Sequence, residues 1–423
     1  MDTPLILILI LAFAFAMTHL ESFVLGERVR LFSGLEYVIL GALCGPLALN
    51  FLDSSSLKDL EPVLAVITGF IGFLYGLPAS RHAPSVPGAK RIAVGVTLTV
   101  AAGIGVGFFV LTGLFEATSQ VSQTERIIAS LVLGFGAAAC SAESVLGGIV
   151  ATASDGPISK LMPRVAATTR VLAILGAGLA LAADPRNIYV TELSFHPAMW
   201  VLLSLTTGAV IGFIFHIFVG DEDDSQKLFV AVIGVTMLAS GVSYALGMSP
   251  LMVCLVAGAT VANLSPSADR LTRAVSNLGR PFDATLLLLA GAMWVPIPMI
   301  LWVLALVFVL GRIILLRIAT WVAVRHHPSV DPHTPSLGNA LLSQGALAAA
   351  IGVNYTAILG HELEAVVMTC LLSSAVLNEV WATWAMRRVL QRAGETGRRA
   401  PEPETTTGDV LESGAQPEAA GAH

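Results

Sequence analysis

The sequence predicts an all-α integral membrane protein with about 13 transmembrane helices. Of its 423 residues, 55% are hydrophobic and only 12% are charged, whereas a soluble domain has roughly 25% charged residues. Runs of about 20 apolar residues recur along the whole chain, and a helix needs that length to cross a hydrocarbon core about 30 Å thick. This sequence has too few polar residues to cover the surface of a soluble globular protein of the same size.

Thirteen apolar runs are predicted as spans. They cover approximately residues 4–20, 34–52, 60–79, 92–115, 126–152, 162–183, 196–218, 227–246, 248–264, 281–296, 298–324, 336–355 and 362–386. The first run has no basic segment before it, because Asp2 is acidic, and no small-residue cleavage site follows it. We therefore interpret it as a retained helix rather than a signal peptide.

The basic residues support this number of spans. With thirteen spans, the segments after odd-numbered spans hold 17 of the 23 Lys and Arg residues, those after even-numbered spans hold three, and three lie inside spans. Because Lys and Arg are enriched in cytoplasmic loops, the distribution places the N-terminus outside the cell (inner) membrane and the C-terminus in the cytoplasm.

Several other classes of protein are excluded by composition. The nine His and four Cys residues form no cluster with metal-ligand spacing, and no basic stripe is present, so we expect no metal site, no cofactor and no nucleic-acid partner. The sequence contains no nucleophile–base pair that would predict an enzyme.

Residues 1–391 are predicted as one transmembrane domain. Residues 392–423 are rich in Gly, Glu, Thr and Pro and are predicted to form a disordered cytoplasmic tail.

Glu143 in the fifth span is the first candidate functional residue. A charge inside a bilayer is costly, so it is a functional hypothesis by default. Ser141 and Ser144 flank it, and two glycines follow. Such small residues allow close helix crossing and a break whose carbonyls line a cavity. The carboxylate suits a cation or a proton, and the alternative is a structural carboxylate paired with an arginine.

Arginines in two other spans are candidates for charge pairing. Arg170 in the sixth span stays charged, and Glu143 is its nearest candidate partner in the sequence; alternatively, it reaches the membrane interface. Arg312 lies deep in the eleventh span, where a role in the site and a structural role are both open. Arg317 lies nearer the end of that span, and an interfacial position suits it better.

The twelfth span contains Ser343, Gln344 and Gly345 and is similar to the segment around Glu143. Two interrupted helices in corresponding halves of a chain indicate a transport site near the midplane of the membrane, and ordinary packing of small residues is the alternative. Asp283 and Glu379 lie near the ends of predicted spans, so we expect both to be solvated at the membrane interface.

An ordered series of motifs resembles the monovalent cation:proton antiporter superfamily, which includes Kef-type and sodium/proton antiporters. The series runs over about residues 5–390, and its four segments are Tyr37–Pro46, Leu246–Asn263, Pro281–Ala292 and Leu342–Gly345. The resemblance implies an inverted-repeat fold with two crossed broken helices. It further implies core helices at about 92–183 and 298–386, dimer or scaffold helices at about 4–79 and 196–296, and a homodimer in the lipid bilayer.

The resemblance also implies antiport of a monovalent cation, Na⁺ or K⁺, for protons by alternating access. The ion and proton site would comprise Glu143, Ser141, Ser144 and Thr169, with Arg170 and Arg312 pairing charges and Ser343 and Gln344 in the second broken helix. Thr169 and Arg170 stand where the family carries its ion-binding Asp pair.

The charges expected at this site leave two alternatives to cation antiport. With Arg170 and Arg312 opposed by Glu143 alone, the site would carry net positive charge, which is unfavourable for a small cation. A transporter of an anionic substrate is therefore one alternative. A non-transporting scaffold or sensor, in which a salt bridge replaces the ion, is the other.

Overall fold

The computed structural model describes residues 34–79, 86, 88–115, 121–183, 196–219, 224–265, 268–276, 278–325, 337–359 and 362–397. This part of the chain is helical and contains no strand. The all-α architecture expected from the sequence is therefore confirmed. The first predicted span, residues 4–20, lies outside the described residues.

The described α-helices are numbered here in chain order. They are α1 (Leu35–Cys44), α2 (Ser54–Asp59), α3 (Glu61–Gly76), α4 (Ala89–Leu114), α5 (Gln123–Ala138), α6 (Ala142–Ala151), α7 (Pro157–Ala182), α8 (Pro197–Val219), α9 (Ser225–Ala245), α10 (Pro250–Leu264), α11 (Ala268–Ser276), α12 (Gly279–Ala292), α13 (Trp302–Val324), α14 (Ala346–Leu359) and α15 (Glu364–Arg392). Short 3₁₀ turns occupy Leu77–Ala79, Met299–Leu301 and Leu337–Leu341.

Many of these helices have the length and composition of membrane spans. Seven helical stretches of the described residues are long and apolar enough to cross a membrane, with α5 and α6 counted as one stretch. Three shorter apolar helices are α3, α10 and α14. The exact number of thirteen spans stays a prediction.

Two of the predicted spans are interrupted where the sequence carries small polar residues. The first contains α5 and α6, and α6 begins after Ser141, whose hydroxyl caps it by accepting a hydrogen bond from Ser144 N (3.2 Å). The second contains the 3₁₀ turn Leu337–Leu341 and α14. Gly345 has φ +57° there, a conformation that favours glycine, and a Cβ at this position would lie 3.3 Å from Ser141. Ser141 N donates to Ser343 O (2.8 Å), so the two breaks cross in contact.

The helices pack in three recognisable sets. Helices α4, α5, α7, α13 and α15 contact one another around the two breaks, α3 packs with α9 and α10, and α1 packs along α12. Helix α8 lies against α10. The division into a core and a dimer or scaffold domain stays a prediction.

Glycines allow α1 and α12 to approach at backbone distance. A Cβ at Gly41 would overlap the Leu288 carbonyl oxygen, and one at Gly291 would overlap the Val38 carbonyl oxygen. Small residues permit such contacts between membrane helices.

We expect Gly41→Ala to lower the free energy of unfolding by about 1–3 kcal/mol, because the two backbones must move apart. Gly107→Ala is the matched control, since a Cβ there meets nothing within 4 Å, and it should be neutral or slightly stabilising. Thermal unfolding of both variants in one detergent measures the difference, and equal melting temperatures would contradict the close contact.

Candidate functional site

Arg312 on α13 holds the two breaks together. Its side chain is fully buried. Nε donates to Ala137 O (2.8 Å), Nη1 to Leu342 O (2.8 Å), and Nη2 to Ala139 O (2.9 Å) and Leu341 O (3.4 Å). Helix ends leave carbonyls without partners and carry partial negative charge. One guanidinium therefore satisfies the carbonyl ends of both broken helices.

The predicted charge pairing of Arg312 stays a prediction: Glu379 interacts with it electrostatically, but no carboxylate among the described residues accepts a hydrogen bond from it. All four of its hydrogen bonds within the described part of the chain go to main-chain carbonyls. The partial negative charge of two helix ends that meet at one point also favours the guanidinium. Gln344 has a similar structural role, since Nε2 donates to Gly136 O (2.9 Å) and Oε1 accepts from Ser374 Oγ (2.7 Å).

Glu143 and Arg170 form a salt bridge beside the crossing. Arg170 Nη1 lies 2.5 Å from Glu143 Oε1 and 2.6 Å from Oε2. Glu143 occupies the first turn of α6, where the partial positive charge of a helix N-terminus favours a carboxylate. The two partners differ in environment: the Arg170 side chain is 3% exposed and the Glu143 side chain is 62% exposed. The carboxylate is thus largely exposed, and the guanidinium lies inside the protein.

Arg170 also contacts groups on other helices. Its guanidinium lies over the ring of Tyr75 on α3, with Cζ 3.9 Å from the ring centroid, a cation–π contact. Asp283 on α12 interacts electrostatically with both Glu143 and Arg170. Arg170 therefore joins α6 to α3, which belongs to the predicted scaffold, and interacts electrostatically with Asp283 on α12.

A second carboxylate, Glu379 on α15, binds serines of both broken helices. Glu379 Oε2 accepts from Ser343 Oγ (2.7 Å), and Oε1 accepts from Ser144 Oγ (3.3 Å). Ser141 Oγ donates to Glu143 Oε2 (3.4 Å). The predicted residues Ser141, Ser144 and Ser343 thus surround the crossing together with two carboxylates.

Thr169 on α7 is also a predicted site residue, but it forms none of these contacts. Its side chain is fully buried, and its hydroxyl has no hydrogen-bond partner among the described residues. No hydrogen bond therefore links it to Glu143 or Glu379.

Sequence reasoning missed Glu379, Asp283 and Tyr75. The predicted span 362–386 places Glu379 near a membrane interface, but α15 continues to Arg392, so Glu379 lies near the middle of this helix. The available signal was depth: Glu379 lies eight residues before Arg387, about two helical turns inside the predicted end of the span. Tyr75 and Asp283 reach Arg170 only through the packing of distant segments.

These acids correct the expected charge of the site. Glu143, Glu379 and Asp283 oppose Arg170 and Arg312. Glu143 and Glu379 alone balance the two guanidinium groups in charge, and Asp283 is a third acid nearby. The expected excess of positive charge is therefore not found among the described residues, which weakens the electrostatic objection to a small cation.

Comparison with known proteins identifies the fold. No protein-family model and no curated protein sequence matches the chain. Among solved structures, the sodium proton antiporter MjNhaP1 from Methanocaldococcus jannaschii at pH 8 superposes with a TM-score of 0.66 and 14% identity, over 93% of this chain and 100% of that chain. The chain has the fold of this antiporter. An electron-microscopy structure of the same antiporter gives a TM-score of 0.65 and 13% identity, over 94% and 99% of the two chains.

The antiporter fold agrees with the family resemblance of the sequence motifs and with a multi-pass membrane protein. The sequence motifs place Thr169 and Arg170 where the family carries its Asp pair. In the structure, Arg170 forms a salt bridge with Glu143. Homodimerisation, the inner membrane and the orientation of the termini stay predictions.

Proposed function

We propose that the protein is a secondary active transporter that exchanges a monovalent cation, Na⁺ or K⁺, for protons by alternating access. The observation that supports it is the ring of oxygen ligands at the crossing, where Glu143 and Glu379 lie with three serine hydroxyls. Hard cations prefer oxygen ligands of this kind.

Glu143 is the proton-exchanging group in this proposal. Its side chain is 62% exposed, so protons and ions have access to the carboxylate. Glu379 supplies a second carboxylate, and the hydroxyls of Ser144 and Ser343 donate hydrogen bonds to it. A cation bound between these groups competes with protons for the same oxygens, which is the requirement for exchange.

Arg170 couples protonation to movement. When Glu143 takes up a proton it loses its charge, and its attraction for Arg170 falls. Arg170 then keeps Tyr75 and Asp283 as partners, and both belong to the predicted scaffold. Proton uptake therefore shifts the balance of contacts between core and scaffold, and a change in that balance moves the equilibrium between inward and outward states.

Dissipation of a pH gradient in proteoliposomes tests the proposal. The panel contains Na⁺, K⁺, Li⁺ and several anions, and it compares the wild type with Glu379→Gln. We expect a cation-dependent signal in the wild type that falls about tenfold or more in Glu379→Gln, because one carboxylate of the cation site is neutralised. Glu362→Gln, at an exposed turn before α15, is the matched control and should transport normally.

Two results would contradict cation antiport. A signal that depends only on the anion would indicate an anionic substrate. Silence across the panel, from protein shown to be folded, would favour the scaffold or sensor, in which the Glu143–Arg170 salt bridge replaces the ion.

A further inference from the structure

Glu395, which follows α15, is a buried carboxylate outside the site. Its residue is 3% exposed. Oε1 accepts a hydrogen bond from Ile158 N (2.8 Å), and Oε2 accepts from Ser159 N (2.8 Å) and Ser159 Oγ (2.6 Å). All three donors belong to the first turn of α7.

The main chain around Glu395 is also bound to the loop between α6 and α7. Asp155 N donates to Glu395 O (3.2 Å), and Gly397 N donates to Thr152 O (3.2 Å). A Cβ at Gly156 would overlap the Glu395 side chain, so only glycine leaves room for it. These contacts correct the predicted start of the disordered tail at residue 392, because residues 393–397 pack against the transmembrane domain. Residues 398–423 lie outside the described residues.

Glu395 supplies the cap that α7 lacks. Gly156 precedes α7 and has no side chain, and no side-chain cap from its own segment is present. The first N–H groups of a helix need acceptors, and a negative charge is favourable at that end. A carboxylate that accepts three hydrogen bonds from a distant part of the chain meets both needs, and such charge-assisted bonds are among the stronger ones.

A second carboxylate anchors the opposite end of α15. Glu125, in the first turn of α5, is 4% exposed, and its Oε1 accepts from Leu363 N (3.1 Å), the residue that precedes α15. Helix α15 is thus tied to α5 at one end and to α7 at the other. Glu379 lies between these two attachments.

We propose that Glu395 is a positioning residue that fixes the relative placement of the three helices that carry Glu143, Arg170 and Glu379. The loop that it holds joins α6, which carries Glu143, to α7, which carries Arg170, and Glu395 itself continues from α15, which carries Glu379. One side chain therefore controls the spacing of the salt bridge and of the second carboxylate. The effect on transport rests on the proposed function, whereas the effect on helix placement does not.

Hydrogen exchange measured by mass spectrometry on the full chain tests the placement. Glu395→Gln keeps the shape of the side chain, but it removes the charge and places an amide N–H₂ against N–H donors. We expect about tenfold faster exchange at the amides of Ile158 and Ser159, because their hydrogen bonds to a charged acceptor are lost. We also expect faster exchange in the first turn of α6. Asp155→Asn is the matched control, because Asp155 lies in the same loop and forms an exposed ion pair with Lys160 (3.0 Å). Its exchange should match the wild type.

The pH profile of transport in proteoliposomes is the second measurement. We expect Glu395→Gln to shift the midpoint of this profile, because the spacing of Glu143 and Arg170 changes, and Asp155→Asn to leave it unchanged. Ser159→Ala, which removes one of the three hydrogen bonds, should give a smaller change in the same direction and serves if Glu395→Gln does not fold.

The possible negative results separate the Glu395 contact itself, its effect on the site and the proposed function. Unchanged exchange at Ile158 and Ser159 would overturn the contact itself. Faster exchange there, with an unchanged first turn of α6 and an unchanged pH profile, would reduce Glu395 to a local helix cap. If the wild type does not transport at all, the proposed function fails, and exchange in α6 still decides whether Glu395 positions the site.

Discussion

We expect Glu143→Gln to abolish cation-dependent proton movement and to lower the free energy of unfolding by about 3 kcal/mol. The variant cannot bind the exchanged proton at this position. It also leaves Arg170, whose side chain is 3% exposed, without its ionic hydrogen-bond partner. Removing one partner of a buried pair costs about 3–5 kcal/mol. We expect the lower end of that range, because Tyr75 and Asp283 remain close to the guanidinium.

Arg170→Met has a smaller expected effect on stability, about 1 kcal/mol, because the Glu143 carboxylate left behind is 62% exposed and water can solvate it. The double variant should be less destabilised than the sum of the single variants, since they share one interaction. Thermal unfolding of the four proteins in one detergent measures this asymmetry, with Glu362→Gln as the control. Equal losses in both single variants, or transport by Glu143→Gln, would contradict the assignment.

Arg312→Ala is expected to prevent accumulation of folded protein. It removes four hydrogen bonds in a fully buried environment and leaves the carbonyl ends of both broken helices without donors. Each buried unsatisfied group costs about 1–3 kcal/mol, so the combined loss is comparable with the total stability of a protein, about 5–15 kcal/mol. Arg312→Lys should be intermediate, because an ammonium keeps the charge but lacks the planar fork that reaches both ends.

Arg317→Ala is the matched control on the same helix. Arg317 is exposed, and its Nε donates to Asn339 Oδ1 (2.7 Å) in an exposed contact, so we expect a change within about 0.5 kcal/mol. The yield of monodisperse protein and its melting temperature measure all three variants. A normal yield and melting temperature for Arg312→Ala would show that the crossing does not depend on this side chain.

The sequence was sufficient for the parts of the fold that depend on local chemistry. Apolar runs predicted the helices, and Ser141, Ser343 and Gly345 predicted the two breaks, because capping residues and glycine act within their own segment. Glu143 and Arg170 could be suggested as partners because they lie on spans joined by a short loop.

The remaining contacts depend on segments that meet only in the folded chain. Arg312 binds backbone carbonyls, which every residue possesses, so no side-chain pattern identifies its partners. Glu379 was misplaced because the end of a helix is the least certain part of such a prediction. Glu395 contacts the first turn of α7, 236 residues earlier in the chain, and the composition of the segment around Glu395 resembled that of an unstructured tail.

Arg312 also imposes an order on the synthesis of the protein. It follows Ala137, its acceptor in the first broken helix, by 175 residues. At about 5–20 residues per second, a ribosome needs about 9–35 s to make that length. During this time the end of α5 has unsatisfied carbonyls, which a lipid environment does not tolerate. We therefore expect the first broken helix to stay in contact with water or with the insertion machinery until the second half of the chain arrives, so that the two halves complete their insertion together.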